Sequence, residues 1–154
     1  MFHSETRATL ADDLKDKNFN LNRVKIIILD DDKDVLLTAQ LILKSRFEEV
    51  ITLTDPDKME EHLAEGFCHV VLLDMNYTPG ATSGIEGLRL LRKIREWSPH
   101  TEVVIHTAWG EIPIAVKAMK EGAFDFIEKP WEKEKLLATC QAAAKHSLST
   151  RELN

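Results

Sequence analysis

VKIIILDDDKDV, running from Val24 to Val35, is the stretch from which the fold of this chain is read. Five of its first six residues are apolar. The run is short and lacks polar alternation, so it reads as a strand covered on both faces, as in a parallel sheet. Three carboxylates follow at once, Asp30, Asp31 and Asp32, with Asp34 beyond them. Working outward, the same kind of run recurs as VVLL (Val70 to Leu73), VVI (Val103 to Ile105) and FDFI (Phe124 to Ile127), with a weaker VITL at Val50 to Leu53. Between the runs, apolar residues fall at helical spacing: Leu36, Ala39 and Leu43; Met59 and Leu63; Leu88, Leu91 and Ile94; Ile114, Ala118 and Met119; Leu136, Cys140 and Ala144. Five strand-helix units follow from this.

Such an alternation predicts an α/β fold, a doubly wound five-stranded parallel sheet of flavodoxin-like order 2-1-3-4-5, with helices on both faces. Asp55 before Pro56, Pro99 after the third helix and Gly122 after the fourth mark boundaries, and Asp34 reads as the cap of the first helix. The expected organisation is an extension over 1–22, one domain over 23–146, and a tail or start of a linker over 147–154. A length of 154 residues suits one domain, and 44% apolar with 30% charged residues argues against disorder. No apolar run approaches the ~18 residues of a membrane span, and no secretory signal is present, so a cytoplasmic protein is expected. A net charge of −6 argues against direct nucleic-acid binding. Cys68 and Cys140 form no CxxC and read as buried, and the six histidines show no metal-ligand spacing.

In an open parallel sheet, functional groups gather beyond the carboxyl ends of the strands. There the sequence places Asp30 and Asp31 after the first strand, Asp74 after the third, Thr107 and Ala108 after the fourth, and Lys129-Pro130 after the fifth. Converging carboxylates repel by about 4 kcal/mol per pair at ~4 Å and an effective dielectric of ~20. A hard cation offsets this, and Mg²⁺ is the natural occupant of an oxygen site with few carboxylates. Thr107 and Lys129 are suited to phosphoryl oxygens beside such an ion. The set points to phosphoryl transfer.

The segments IIILDDDKDV (26–35), VVLLDMN (70–76), EGLRLLRKIR (86–95), VVIHTAWG (103–110) and IAVKAMKEGAFDFIEKPW (114–131) resemble, in order, the receiver domain of two-component response regulators. The wording TAWG and EGAFDFIEKPW is most like receivers attached to enhancer-dependent transcription activators. The resemblance implies that Asp74 is the phosphoacceptor, attacking a phosphohistidine on a sensor histidine kinase or histidine phosphotransfer protein, so that the domain catalyses its own phosphorylation. It implies Mg²⁺ held by Asp31 directly, Asp30 through water, Asp74, and the backbone carbonyl of Asn76. Thr107 and Lys129 would bind phosphoryl oxygens, and Phe126 would be an aromatic switch or else plain core. The Lys129-Pro130 bond is a candidate cis peptide. The fourth helix, fifth strand and fifth helix would form an output surface and a possible homodimer contact, which Ile112 and Trp131 would join. The chain would be a stand-alone regulator or a fragment of a longer one.

Two departures from the family pattern stand out. Pro79 and Gly87 lie five and thirteen residues after Asp74, against four and eight in the family, so this loop is about five residues longer. It either helps select the kinase or shield the phosphoryl group, or is a neutral insertion. Trp109, two after Thr107, would border the path of hydrolytic water or cover the sheet edge. ILDDDKDV also resembles the signature of haloacid-dehalogenase-like phosphatases, with Asp30 as nucleophile and Asp32 as general acid/base. That reading leaves Asp74 without a role and lacks a later acidic pair. A receiver-like interaction module that is not phosphorylated is the third possibility, against which the complete acceptor set argues.

Overall fold

The computed structural model describes residues 24–77, 84–108 and 111–153. The extension over 1–22, most of the longer loop and Trp109 lie outside the described residues. Five strands, β1 (Lys25–Leu29), β2 (Glu49–Leu53), β3 (Val70–Asp74), β4 (Glu102–Ala108) and β5 (Asp125–Lys129), form one sheet. All pairings are parallel and the order is β2-β1-β3-β4-β5. The helices are α1 (Lys33–Lys44), α2 (Met59–Glu65) behind a 3-10 turn at Pro56–Lys58, α3 (Ile85–Trp97), α4 (Ile112–Lys120) and α5 (Lys133–Leu153). The expected order and count are borne out. Among the described residues no helix is long and apolar enough to cross a membrane.

The uninterrupted apolar strands are explained by two cores. Ile26 and Ile28 of β1 point to one face, where Leu36, Ala39 and Leu43 of α1 meet Leu136, Leu137 and Cys140 of α5. Ile27 and Leu29 point to the other, against Met59 of α2, Leu88, Leu91 and Ile94 of α3 and Ala118 of α4. Because both faces are covered, every residue of β1 is buried. Full burial of each such aliphatic side chain is worth about 1.5–3 kcal/mol relative to exposure. Cys68 and Cys140 are buried free thiols, and burial pushes both up to about 12.

Local chemistry sets the turns. Asp32, not Asp34, caps α1: its Oδ1 accepts from Asp34 N at 2.9 Å and Val35 N at 3.3 Å, while Asp34 lies in the first turn. The residue immediately before the helix is the one whose carboxylate can fold back onto the unpaired amides. Asp55 accepts from Asp57 N in the same way, as expected. The Lys129-Pro130 peptide is cis. α5 continues past His146 to Leu153, with Ser147 fully buried and its Oγ donating to His100 O at 2.6 Å.

One glycine holds the site in place. Gly87 N donates to Met75 O at 3.0 Å, and a Cβ at Gly87 would stand 2.5 Å from Met75 Cα. The first turn of α3 therefore lies directly on the segment that leaves Asp74. Gly87→Ala forces these backbones apart and is expected to destabilise the fold by about 2 kcal/mol, in the range of overpacked cores, measured by urea unfolding. Asp32→Ala removes the α1 cap and should cost about 1 kcal/mol in the same assay.

Candidate functional site

Adjacent parallel strands that end together bring their last residues to one place. Asp30 just past β1, Asp74 at the end of β3 and Lys129 at the end of β5 meet there: Lys129 Nζ lies 3.0 Å from Asp30 Oδ2 and 3.3 Å from Asp74 Oδ1. Asp30 is 1% exposed and Asp74 6%. Asp30 Oδ1 accepts from Asp32 N at 2.8 Å, and Asp74 Oδ1 accepts from Met75 N at 2.9 Å. One ammonium thus serves two buried carboxylates, which leaves the trio with a net negative charge.

The electrostatics follow from that shortage of positive charge. Burial first, and the Asp30 charge second, push Asp74 up to about 7, against the opposing pull of Lys129. Burial works to lower Lys129, but the two carboxylates outweigh it and hold the ammonium above its ordinary range. Asp31 is exposed beside them, and desolvation together with Asp30 raises its carboxyl above the usual range. Thr107 is buried, and its Oγ1 has no hydrogen-bond partner among the described residues. A buried hydroxyl without a partner is costly and rare, so this one fits an oxygen-rich ligand that completes it. The carboxylates, the excess negative charge and the orphaned hydroxyl together fit a hard cation with a phosphoryl group.

The sequence-predicted residues divide into those brought together and those set aside. Asp30, Asp74, Lys129 and Thr107 sit at adjacent strand ends, with Asp31 at the rim. Asn76 uses its side chain to tie the neighbouring loops: Oδ1 accepts from Gly84 N at 2.8 Å and Nδ2 donates to Glu111 Oε2 at 3.2 Å. Phe126 is half-buried and packs against the core that contains Ile27 and Leu29. Asp32, the acid/base of the phosphatase reading, has its carboxylate engaged in capping α1. A groove of about 410 Å³ opens beside the site, lined by Val35, Thr38, Ala108, Lys129, Pro130 and Trp131.

Two residues escaped the sequence reading. Glu111 Oε1 accepts from Ala108 N at 2.9 Å while its Oε2 holds Asn76, so it joins the β3 and β4 exit loops. His106 is fully buried, with Nε2 at 3.3 Å from Leu29 O and 3.5 Å from Asp30 Oδ2. Burial first, then the nearby Lys129 charge, lowers it to about 3 and keeps it neutral. Among the described residues, Asp30, Asp74 and His106 form a group whose ligand-capable atoms all lie within 4.8 Å of one another. A histidine closing an apolar strand next to Thr107 was the available signal, but its carboxylate partner is remote in sequence.

Similarity to known proteins agrees with this geometry. The sequence matches the response regulator receiver domain over residues 26–141. It is 30% identical over 121 residues to the C4-dicarboxylate transport transcriptional regulatory protein DctD of Pseudomonas aeruginosa, covering 79% of this chain and 25% of that protein. It is 31% identical over 120 residues to the response regulator protein TodT of Pseudomonas putida, covering 78% and 51%. The chain therefore spans from a quarter to about half the length of these curated relatives. The N-terminal signal receiver domain of a two-component response regulator from Bacteroides fragilis superimposes with a TM-score of 0.71 at 45% identity, covering 78% of this chain and 95% of that one. Receiver domains generally bind Mg²⁺ through acidic residues and interact with histidine kinases. The family match runs from the first strand into the last helix and takes in every residue that meets at the strand ends, so the chain belongs to the response regulator receiver domain family of two-component systems.

Proposed function

We propose that Asp74 is the phosphoacceptor of this receiver and takes a phosphoryl group from the phosphohistidine of a sensor histidine kinase or a histidine phosphotransfer protein. The observation that carries this reading is Lys129 bridging Asp30 and Asp74 beside the unpartnered Thr107 hydroxyl. Asp74 Oδ1 accepts from both Met75 N and Lys129, which supports Oδ2 as the oxygen that attacks phosphorus. The bond from histidine nitrogen to phosphorus breaks as the bond from Oδ2 forms, and the histidine leaves with the electron pair. Thr107 Oγ1 donates to one oxygen of the transferred group and Lys129 to another, in keeping with their position at the strand ends. Mg²⁺ would be held by Asp30, Asp31, Asp74 and the Asn76 carbonyl, and would neutralise charge on the carboxylates and the phosphoryl oxygens. The small Ala108 side chain keeps the approach open, and the adjacent groove gives the donor helix a surface to rest on.

The output follows from the same atoms. Thr107 moves to reach the phosphoryl oxygen and vacates space toward which the half-buried Phe126 turns, which alters the face of α4, β5 and α5. Ile112 (43%), Val116 (47%) and Met119 (39%) are exposed on α4, and an apolar stripe of this kind supports a homodimer contact there. Two of the relatives named above are a transcriptional regulatory protein and a response regulator, so we assign the domain to the control of transcription in the cytoplasm. In this reading it acts through an output partner rather than by contacting nucleic acid itself.

Incubation with Mg²⁺ and acetyl phosphate should add one phosphoryl group, read by intact-mass spectrometry. The adduct should disappear in Asp74→Asn and on chelation. An adduct that survives Asp74→Asn would move the nucleophile elsewhere, with Asp30 next to test.

A pH experiment follows from the raised carboxyl. Folding lifts Asp74 from 3.8 to about 7, so the native state binds the proton more tightly than the unfolded state. This stabilising contribution is complete below pH ~4 and is lost as pH rises through about 7, for a total of up to ~4 kcal/mol. Asp74→Asn, which is never charged, should therefore be more stable than wild type by about 2–4 kcal/mol at pH 8 without metal. The gain should shrink steadily below pH 7 and vanish near pH 4, as measured by urea unfolding across that range.

A further inference from the structure

We propose that His106 is a positioning residue of the phosphorylation site, its Nε2–H anchoring the end of β1 at Leu29 O and so setting where the adjoining Asp30 carboxylate stands for the divalent cation; the proposal rests on the phosphoacceptor reading above. The strand register pairs His106 of β4 with Asp74 of β3. Two residues earlier on the same face, Val104 belongs to the apolar core between the sheet, α1 and α5. An imidazole thus stands where strand geometry would place another aliphatic side chain, and it is fully buried. A buried polar ring is costly unless its polar atoms are matched.

The match is on one side only. Nε2 is hydrogen-bonded to the Leu29 carbonyl at 3.3 Å and lies 3.5 Å from Asp30 Oδ2, longer than a hydrogen bond, whereas Nδ1 has no partner among the described residues. Both facing oxygens can only accept, so Nε2 carries the proton and Nδ1 is bare. The ring plane is fixed by stacking on Trp131, with centroids 5.8 Å apart and planes 21° apart. The result is a rigid N–H donated to the end of β1, one residue before the first carboxylate.

Its use follows from what else holds Asp30. Oδ1 accepts from Asp32 N, which is local backbone, and Oδ2 accepts from Lys129. Lys129 is shared with Asp74, and a phosphoryl group on Asp74 brings further anionic oxygens to compete for the same ammonium. Lys129 is thus drawn off Asp30 Oδ2 during the reaction, while the buried, stacked His106 keeps its hold on Leu29 O at the end of β1. A neutral ring beside the carboxylate also leaves in place the charge that a cation needs. Partners of this kind outside the ligand set typically carry 10–100-fold in metal affinity.

The test uses Mn²⁺ as a probe, with free Mn²⁺ counted by electron paramagnetic resonance in wild type, His106→Leu and His106→Gln. Leucine fills a similar volume without a donor, and the Gln amide returns an N–H near the position of Nε2. The expected result is about tenfold weaker Mn²⁺ binding in His106→Leu, with most of the loss recovered in His106→Gln, both variants melting cooperatively. Wild-type affinity in His106→Leu would overturn the proposal. So would a Gln variant that folds like wild type yet binds as poorly as the Leu variant, since packing on Trp131 would then be the whole role. Acetyl phosphate labelling of the wild type, run in parallel, separates the two readings. An unlabelled wild type counts against Asp74 as acceptor, whereas a labelled one with His106-independent Mn²⁺ binding counts against His106 alone.

Discussion

A single ammonium between two buried carboxylates organises this domain. Lys129 reaches Asp30 and Asp74 from the end of β5, and no other cationic side chain is placed to do so among the described contacts. The strand ends must therefore stay aligned across β1, β3, β4 and β5, although one positive charge cannot satisfy two negative ones. Burial first, and this imbalance second, raise Asp74, and a site with excess negative charge favours a hard cation. Stability and reactivity are in tension at this point, and the two apolar cores on either side of the sheet hold the charges together.

The scaffold answers that demand with short, local devices. Asp32 turns its carboxylate back onto α1 and its own amide onto Asp30, so one residue both starts the helix and orients the acid before it. Gly87 lets α3 rest on Met75 and so fixes the direction in which the chain leaves Asp74. Glu111 links the β4 exit to Asn76 and thereby to the β3 exit. The exit of β4 just after Thr107 is thereby tied to the loop beside Asp74 by two hydrogen bonds.

His106 shows how such a site can be tuned from beneath. The apolar face of β4 needs a side chain there to fill the core, and an imidazole fills it while donating one N–H to Leu29 O, beside Asp30. A wholly aliphatic residue would fill the space without offering that donor. Trp131, immediately after the cis Lys129-Pro130 bond, supplies the surface against which the ring is held.

The sequence by itself determined the five strand-helix units, because strands covered on both faces must be apolar throughout and the helices between them must repeat at 3.6 residues. It also determined that acids, a hydroxyl and a lysine follow four of the strands, and parallel pairing leaves such residues nowhere to go but a shared end. Helix capping was legible only approximately: Asp32 and Asp34 look alike in sequence, and only the fold shows which carboxylate meets the open amides. The tertiary structure alone decided that Asp30 and Asp74 share Lys129, that Asp31 stands at the rim, that α5 extends beyond His146, and that Glu111 joins two loops. His106 was hidden for the same reason. Its partners are the end of β1 and a tryptophan after β5, and contacts between residues so far apart along the chain leave no periodic mark in it.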